Sequence, residues 1–198
     1  MAGSRARSRN DPQRRDTIID AALAVITELG VHKTTHRRIA AAADVPLGSL
    51  TYYFDSLDDL LGQAFVHLVD VKSAQFRRAM ESAATPEAAA EAVVDLVCGS
   101  AYASPQDMNL IFEMYAYAHH NPVVCDAAGE WVRRSRASLG LHFAPDVCAA
   151  LNVMIEGWPM HRAFLGADLD RRLVAASVDL LITQVPERLE PATAARRP

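Results

Sequence analysis

The stretch Thr35-His36-Arg37-Arg38-Ile39-Ala40-Ala41-Ala42-Ala43-Asp44-Val45-Pro46-Leu47-Gly48-Ser49-Leu50-Thr51-Tyr52-Tyr53-Phe54 decides the fold of this chain. Thr35 reads as an N-cap, because its hydroxyl can accept from a free amide at the start of the next helix. That helix runs through Ile39 to about Ala43 and is barely two turns long. Asp44 belongs to the few residue types that tolerate left-handed backbone, and Pro46 can open another helix, over Leu47 to Tyr53. Ala40 is small where the two helices must approach, and Ile39, Val45 and Leu50 lie beneath. Two short helices about a tight turn have the helix-turn-helix layout.

Upstream, Ile19, Ala22, Leu23, Ile26 and Leu29 mark one apolar helix face from about Arg14. Gly30 stops that helix, and His32-Lys33-Thr34 continues as loop. Residues 1–13 lack periodicity and are expected to form a disordered basic arm. Downstream, Leu60, Leu61, Ala64, Phe65, Leu68, Val69, Lys72 and Phe76 describe a long helix from Leu57 to about Glu81. Thr85-Pro86, Ser104-Pro105, Asn121-Pro122 and Ala144-Pro145 then cut the chain into helices at about 86–103, 105–120, 122–142 and 146–165. A last helix is expected at 168–187, capped by Asp168, with Pro159 kinking the one before it. Residues 188–198 read as a frayed tail. No strand-like alternation competes, so the class is all-α with about nine helices. Alanine supports it: 35 of 198 residues lose almost no side-chain entropy in a helix.

Composition places the chain among globular proteins, with 51% hydrophobic and 22% charged residues. The net charge of −4 conceals an asymmetry. Residues 1–53 carry eight Lys/Arg against five Asp/Glu, a net +3, and residues 54–198 carry 12 against 19, a net −7. A basic head on an acidic body suits a protein that meets a polyanion at one end only. No apolar run approaches the roughly 18 residues of a membrane span. No apolar core follows the early arginines, so a cytoplasmic location is expected. Cys98, Cys125 and Cys148 are odd in number, lack CxxC pairing and read as reduced, buried thiols.

His119-His120 with Cys125 and Asp126 suggests a metal cluster, yet adjacent helical histidines point about 100° apart and cannot easily share an ion. Cys125 lacks any nucleophile elbow or oxyanion loop. No enzyme, metal or cofactor is expected. Arg133-Arg134-Ser135-Arg136 reads as a solvated helix face.

Residues 35–61, with the helix ending at Gly30, strongly resemble the head of the tetracycline-repressor (TetR) family. The resemblance lies in the Thr before Ile39-Ala40, in Gly48-x-Leu50, in Tyr53-Phe54, and in Ser56 with the paired Leu60-Leu61. It covers about residues 14–65, and the body shares only length and helical layout. It implies a DNA-binding regulator whose third helix lies in the major groove. It further implies that Thr35 and Arg37 approach phosphates or the groove edge, and that Leu47, Gly48, Ser49, Thr51, Tyr52 and Tyr53 face DNA. Tyr53 would bond a phosphate through its hydroxyl. Three positions depart from the family: Leu57 stands where a phosphate-binding Lys is usual, Asp44 replaces the turn Gly, and Thr51 replaces a Tyr. Arginines of the arm could supply the missing cation.

The domains implied are the arm (1–13), a helix-turn-helix head (14–56), a helical effector and dimerisation body (57–187), and the tail (188–198). An effector pocket is expected around Met108, Phe112, Tyr115, His119, Trp131, Met154 and Trp158. Polar Asn109, Glu113, Tyr117, His120 and Glu156 supply the hint, since buried polar groups need partners. The resemblance implies a homodimer through the last two helices, with Leu151, Ile155, Leu173 and Leu180 at its interface. The function expected is a repressor released from a palindromic operator by a small molecule. The alternatives are a regulator without a ligand and a helical interaction module.

Overall fold

A computed structural model describes residues 12–99 and 102–185. Among these it forms nine α-helices and one 3-10 turn: α1 (Pro12–Leu29), the turn Val31–Lys33, α2 (His36–Ala42), α3 (Leu47–Tyr53), α4 (Leu57–Ser82), α5 (Pro86–Cys98), α6 (Pro105–Ala118), α7 (Pro122–Leu139), α8 (Pro145–Leu165) and α9 (Arg171–Gln184). The fold is all-α. Of the expected arm, residues 1–11 lie outside the described residues, as does the expected tail at 188–198; Pro12 and Gln13 are already helical, with proline at the first position, where its missing N–H costs nothing.

Local side-chain caps set several helix starts. Thr35 Oγ1 accepts from Arg38 N–H at 3.4 Å, and Thr85 Oγ1 from Ala88 N–H at 3.2 Å. Ser56 Oγ accepts from Asp59 N–H while the Asp59 carboxylate accepts from Asp55 N–H, both at 3.0 Å. Ser104 and Asp107 at the start of α6 make a reciprocal exchange, the side chain of each accepting from the other's N–H.

Three expected boundaries move. α5 ends at Cys98, not 103, because Gly99 turns to extended backbone there. Arg162 donates to Cys98 O, Gly99 O and Ala103 O, and Lys72 Nζ donates to Tyr102 O. α7 ends at Leu139 ahead of Gly140. α9 is capped by Asp170, whose side chain accepts from Arg172 N–H, rather than by Asp168. α8 runs on across a buried Pro159.

The chain divides into two compact units. One comprises residues 12–70 with Asn109–Ala128. Its core joins Ile18, Ile19 and Ala22 of α1 to Ile39 and Ala40 of α2, Leu50 of α3 and Leu60 and Ala64 of α4. The other comprises Val71–Met108 with residues 129–185. There α5 packs on α8 and α9, burying Val93, Val97, Leu151, Val174 and Val178. Its interior also holds an ion pair: Lys72 Nζ lies 2.7 Å from Asp107 Oδ1 and 5.6 Å from the centre of the Tyr102 ring.

Candidate nucleic-acid interface

The turn between α2 and α3 determines which side chains of α3 face out. Ala43 is the C-cap of α2, and Asp44 follows at φ 51°. Val45 N–H donates to Ala40 O at 3.0 Å and Asp44 N–H to Ala41 O at 3.3 Å. These are the paired closing bonds of a Schellman motif, and the first residue past the cap must then be left-handed. Val45 packs on the core below. An aspartate holds this place against the steric preference of its Cβ, at some cost in backbone strain.

With Ile39 and Leu50 fully buried, α2 and α3 present one polar surface. Thr35 and Arg37 are exposed at the start of α2. On α3, Leu47 is 45% and Tyr52 56% exposed, and Gly48 and Thr51 are also open. Ser49 and Tyr53 are half-buried. Tyr53 packs against the core, and its ring meets Tyr52 edge-on with centroids 5.0 Å apart. A Cβ built on Gly48 would have no neighbour within 4 Å, so the backbone itself is accessible there. Seven of the eight expected residues stand on α2 and α3 and Thr35 at the cap of α2, and six of the eight are exposed.

Charge on this surface is sparse. α3 has no cation, and Arg37, Arg38 and Lys33 stand on or just before α2. The Arg38 guanidinium donates to Lys33 O. Hydroxyls, a guanidinium and an open backbone are the groups that bind phosphate oxygens, and Leu47 with the Thr51 methyl suits apolar contact with a thymine methyl.

The expected pocket residues divide between the two units. Phe112, Tyr115 and His119 belong to the first unit, where Tyr115 and His119 are exposed. Met108, Trp131, Met154 and Trp158 belong to the second, with Met108 and Trp131 buried. A groove of about 200 Å³ in the first unit is lined by Arg15, Asp16, Ile19, Gln63, Val66, His67 and Asp70, none of them expected. Two polar residues read as ligand partners have protein partners instead. Glu113 accepts from Val31 N–H, and Tyr117 donates to Asp58.

Sequence reading named Trp131 and Glu156 but missed Tyr102, Ser135 and Asn152, which complete a polar cluster with them in the second unit. Tyr102 is buried, its hydroxyl pushed up to about 12 by loss of water, and Trp131 hydrogen-bonds to it. Asn152, 3% exposed, donates to Ser135 Oγ at 3.4 Å and Glu156 Oε1 at 3.1 Å. Its Oδ1 has no partner. The carboxylate can only accept, so it fixes which way the amide faces. Spacing of four residues for Trp131–Ser135 and for Asn152–Glu156 was the available signal.

Leu151 and Ile155, expected at a subunit interface, are instead buried in the protomer's own core at 0% and 4% exposure. Leu173 and Leu180 are 53% and 60% exposed and share a face of α9 seven residues apart. Among the described residues no group of three His, Cys, Asp or Glu side chains is placed to hold a metal ion. None of the described helices is long and apolar enough to cross a membrane.

Residues 18–64 match the family model of bacterial regulatory proteins, tetR family. The chain is similar to the candidate transcriptional regulator SCO7518 of Streptomyces coelicolor A3(2), with 39% identity, 87% of this chain and 99% of that one covered, and a TM-score of 0.79. It is 29% identical to the HTH-type transcriptional regulator BetI of Paraburkholderia phymatum over 86% of this chain and 94% of that one. It is also 29% identical to the multidrug binding protein EbrR solved in complex with ethidium, with 87% and 100% covered and a TM-score of 0.73.

Proposed function

The chain belongs to the TetR family of bacterial regulatory proteins, and from that premise we propose that it is a repressor released from a palindromic DNA operator by a small molecule. It is a DNA-binding transcriptional regulator. The observation that carries the finer reading is the surface of α2 and α3, where Thr35, Arg37, Leu47, Gly48, Thr51 and Tyr52 stand exposed above a closed apolar core. On this reading α3 lies in the major groove, Arg37 supplies base or phosphate contact, and Ser49 and Tyr53 reach the backbone from the helix flank.

A single α3 without cations binds weakly, so two heads on one operator are needed. The exposed stripe of Leu173 and Leu180 on α9 supports a homodimer, since an apolar face of that kind is buried by a symmetric copy. The unpartnered Asn152 Oδ1 among Tyr102, Trp131 and Glu156 supports an effector site in the second unit, where an orphaned acceptor gains most from an incoming donor. EbrR's complex with ethidium supports ligand response in this family. The effector releases the operator only by as much as it prefers the state that binds DNA poorly. The site of action is the cytoplasm, where the operator lies.

Footprinting of full-length protein on the DNA flanking its own gene tests this. A protected two-fold sequence, protected more weakly by Arg37→Ala, is the expected result. No protection by the intact protein would overturn it.

A further inference from the structure

Glu113 and Tyr117 stand one turn apart on α6, a spacing that puts them on one face. Both reach the helix-turn-helix. Glu113 Oε2 accepts from Val31 N–H at 2.9 Å, the first amide past Gly30, whose own N–H closes α1 on Ile26 O. The other carboxylate oxygen lies over Gly30, where a Cβ would stand 2.9 Å from it. Gly30 has φ 76°, so glycine suits this position for both backbone freedom and space.

From Val31 the path to the α2 cap is short and has no slack. The Thr34 hydroxyl donates to Gly30 O at 2.8 Å, and Thr34 N–H donates to Val31 O at 3.0 Å. Thr34 is buried, and Thr35 follows as the cap. A displacement at Val31 therefore passes directly into α2.

The far end is held in the same way. The Tyr117 hydroxyl donates to Asp58 Oδ1 at 2.8 Å in the first turn of α4, and its ring leans on Phe65 with centroids 5.7 Å apart. Only Phe54, Asp55 and Ser56 separate α3 from α4, and Phe54 is buried. One turn of α6 thus grips the chain where it enters α2 and again where it leaves α3.

We propose that Glu113 and Tyr117 are positioning residues for operator binding, a two-point staple that orients α2 and α3 without touching DNA. The proposal rests on the reading of α2 and α3 as the DNA-binding surface. A carboxylate on a backbone amide is the stronger of the two bonds. Its removal in Glu113→Ala is expected to weaken operator binding about tenfold, equivalent to about 1.4 kcal/mol. Glu113→Gln keeps an acceptor oxygen and should recover most of that loss. Tyr117→Phe should cost about threefold.

The test measures operator affinity of the full-length protein and each variant, at a temperature where circular dichroism shows all of them folded. Amide hydrogen exchange at Val31 is read in parallel without DNA. The expected result is faster Val31 exchange and weaker binding in Glu113→Ala, with both restored in Glu113→Gln. Affinity within twofold of wild type in Glu113→Ala and Tyr117→Phe, or unchanged Val31 exchange in Glu113→Ala, overturns the staple. A wild-type protein that protects no operator overturns the functional reading instead, and Val31 exchange in Glu113→Ala then decides whether the bond holds the turn.

Discussion

Asp44 sits where the chain must turn left-handed and where operator phosphates are proposed to lie, so its replacement separates a strain effect from a charge effect. At φ 51° with both Schellman bonds formed, an ordinary L-residue is disfavoured by about 1–2 kcal/mol, and aspartate by less. Glycine removes that strain but has more unfolded-state freedom to lose, which offsets about 0.5 kcal/mol. Asp44→Gly should therefore stabilise the protein by about 0.5 kcal/mol, raising a melting midpoint by about 1–2 °C for a chain of this size. Asn tolerates the same backbone, so Asp44→Asn should leave the midpoint unchanged. The carboxylate is exposed, and Coulomb's law puts one charge about 8 Å from a phosphate across water at roughly 0.5 kcal/mol. Both variants should thus bind operator about twofold more tightly at low salt, with the gain fading as salt screens it. Scanning calorimetry and fluorescence anisotropy over a salt series read the two effects separately. A lower midpoint in Asp44→Gly would refute the strain argument. Unchanged affinity in Asp44→Asn would refute the placement of Asp44 beside DNA.

Other perturbations test other parts of the molecule. Arg37→Ala should lower the slope of log affinity against log salt by about two, since one phosphate contact is lost from each head of the dimer; an identical slope measured by anisotropy would remove Arg37 from the interface. Lys72→Met leaves the partly buried Asp107 carboxylate without its ion-pair partner but with its Ser104 hydrogen bonds and should cost about 1–2 kcal/mol in urea unfolding. Tyr102, held neutral by burial with its ionisation pushed up to about 12 from 10, favours the folded state below pH 10. The unfolded chain ionises first, so stability of the order of 2 kcal/mol is lost between about pH 10 and 12. Alkaline unfolding followed by tyrosinate absorbance should flatten across that window in Tyr102→Phe, and an unchanged profile would exclude Tyr102 as its source.

The head was legible because its signals are local. Thr35, Gly30 and Pro46 act on backbone groups within a few residues, and Ile39, Ala40 and Leu50 declare their inward faces by spacing alone. The candidate contacts on α3 followed, since orientation on a two-turn helix is determined once its buried side is known. The body was less legible for the opposite reason. Leu151 and Leu173 share a residue type and a helical pattern, yet one is fully buried and the other half exposed. Amphipathic spacing says that a face is apolar but not which neighbour covers it.

By itself the sequence determined the helical class, the helix-turn-helix with its left-handed turn, and the asymmetry of a basic head before an acidic body. Only tertiary structure decided how the end of α5 is held, because Arg162 arrives from a distant helix to bind the Cys98 and Gly99 carbonyls where the chain turns extended. It likewise decided that Glu113 and Tyr117 bind the ends of the helix-turn-helix. Their partners lie 82 and 59 residues away, and a hydrogen bond between groups so far apart depends on packing that no local pattern encodes.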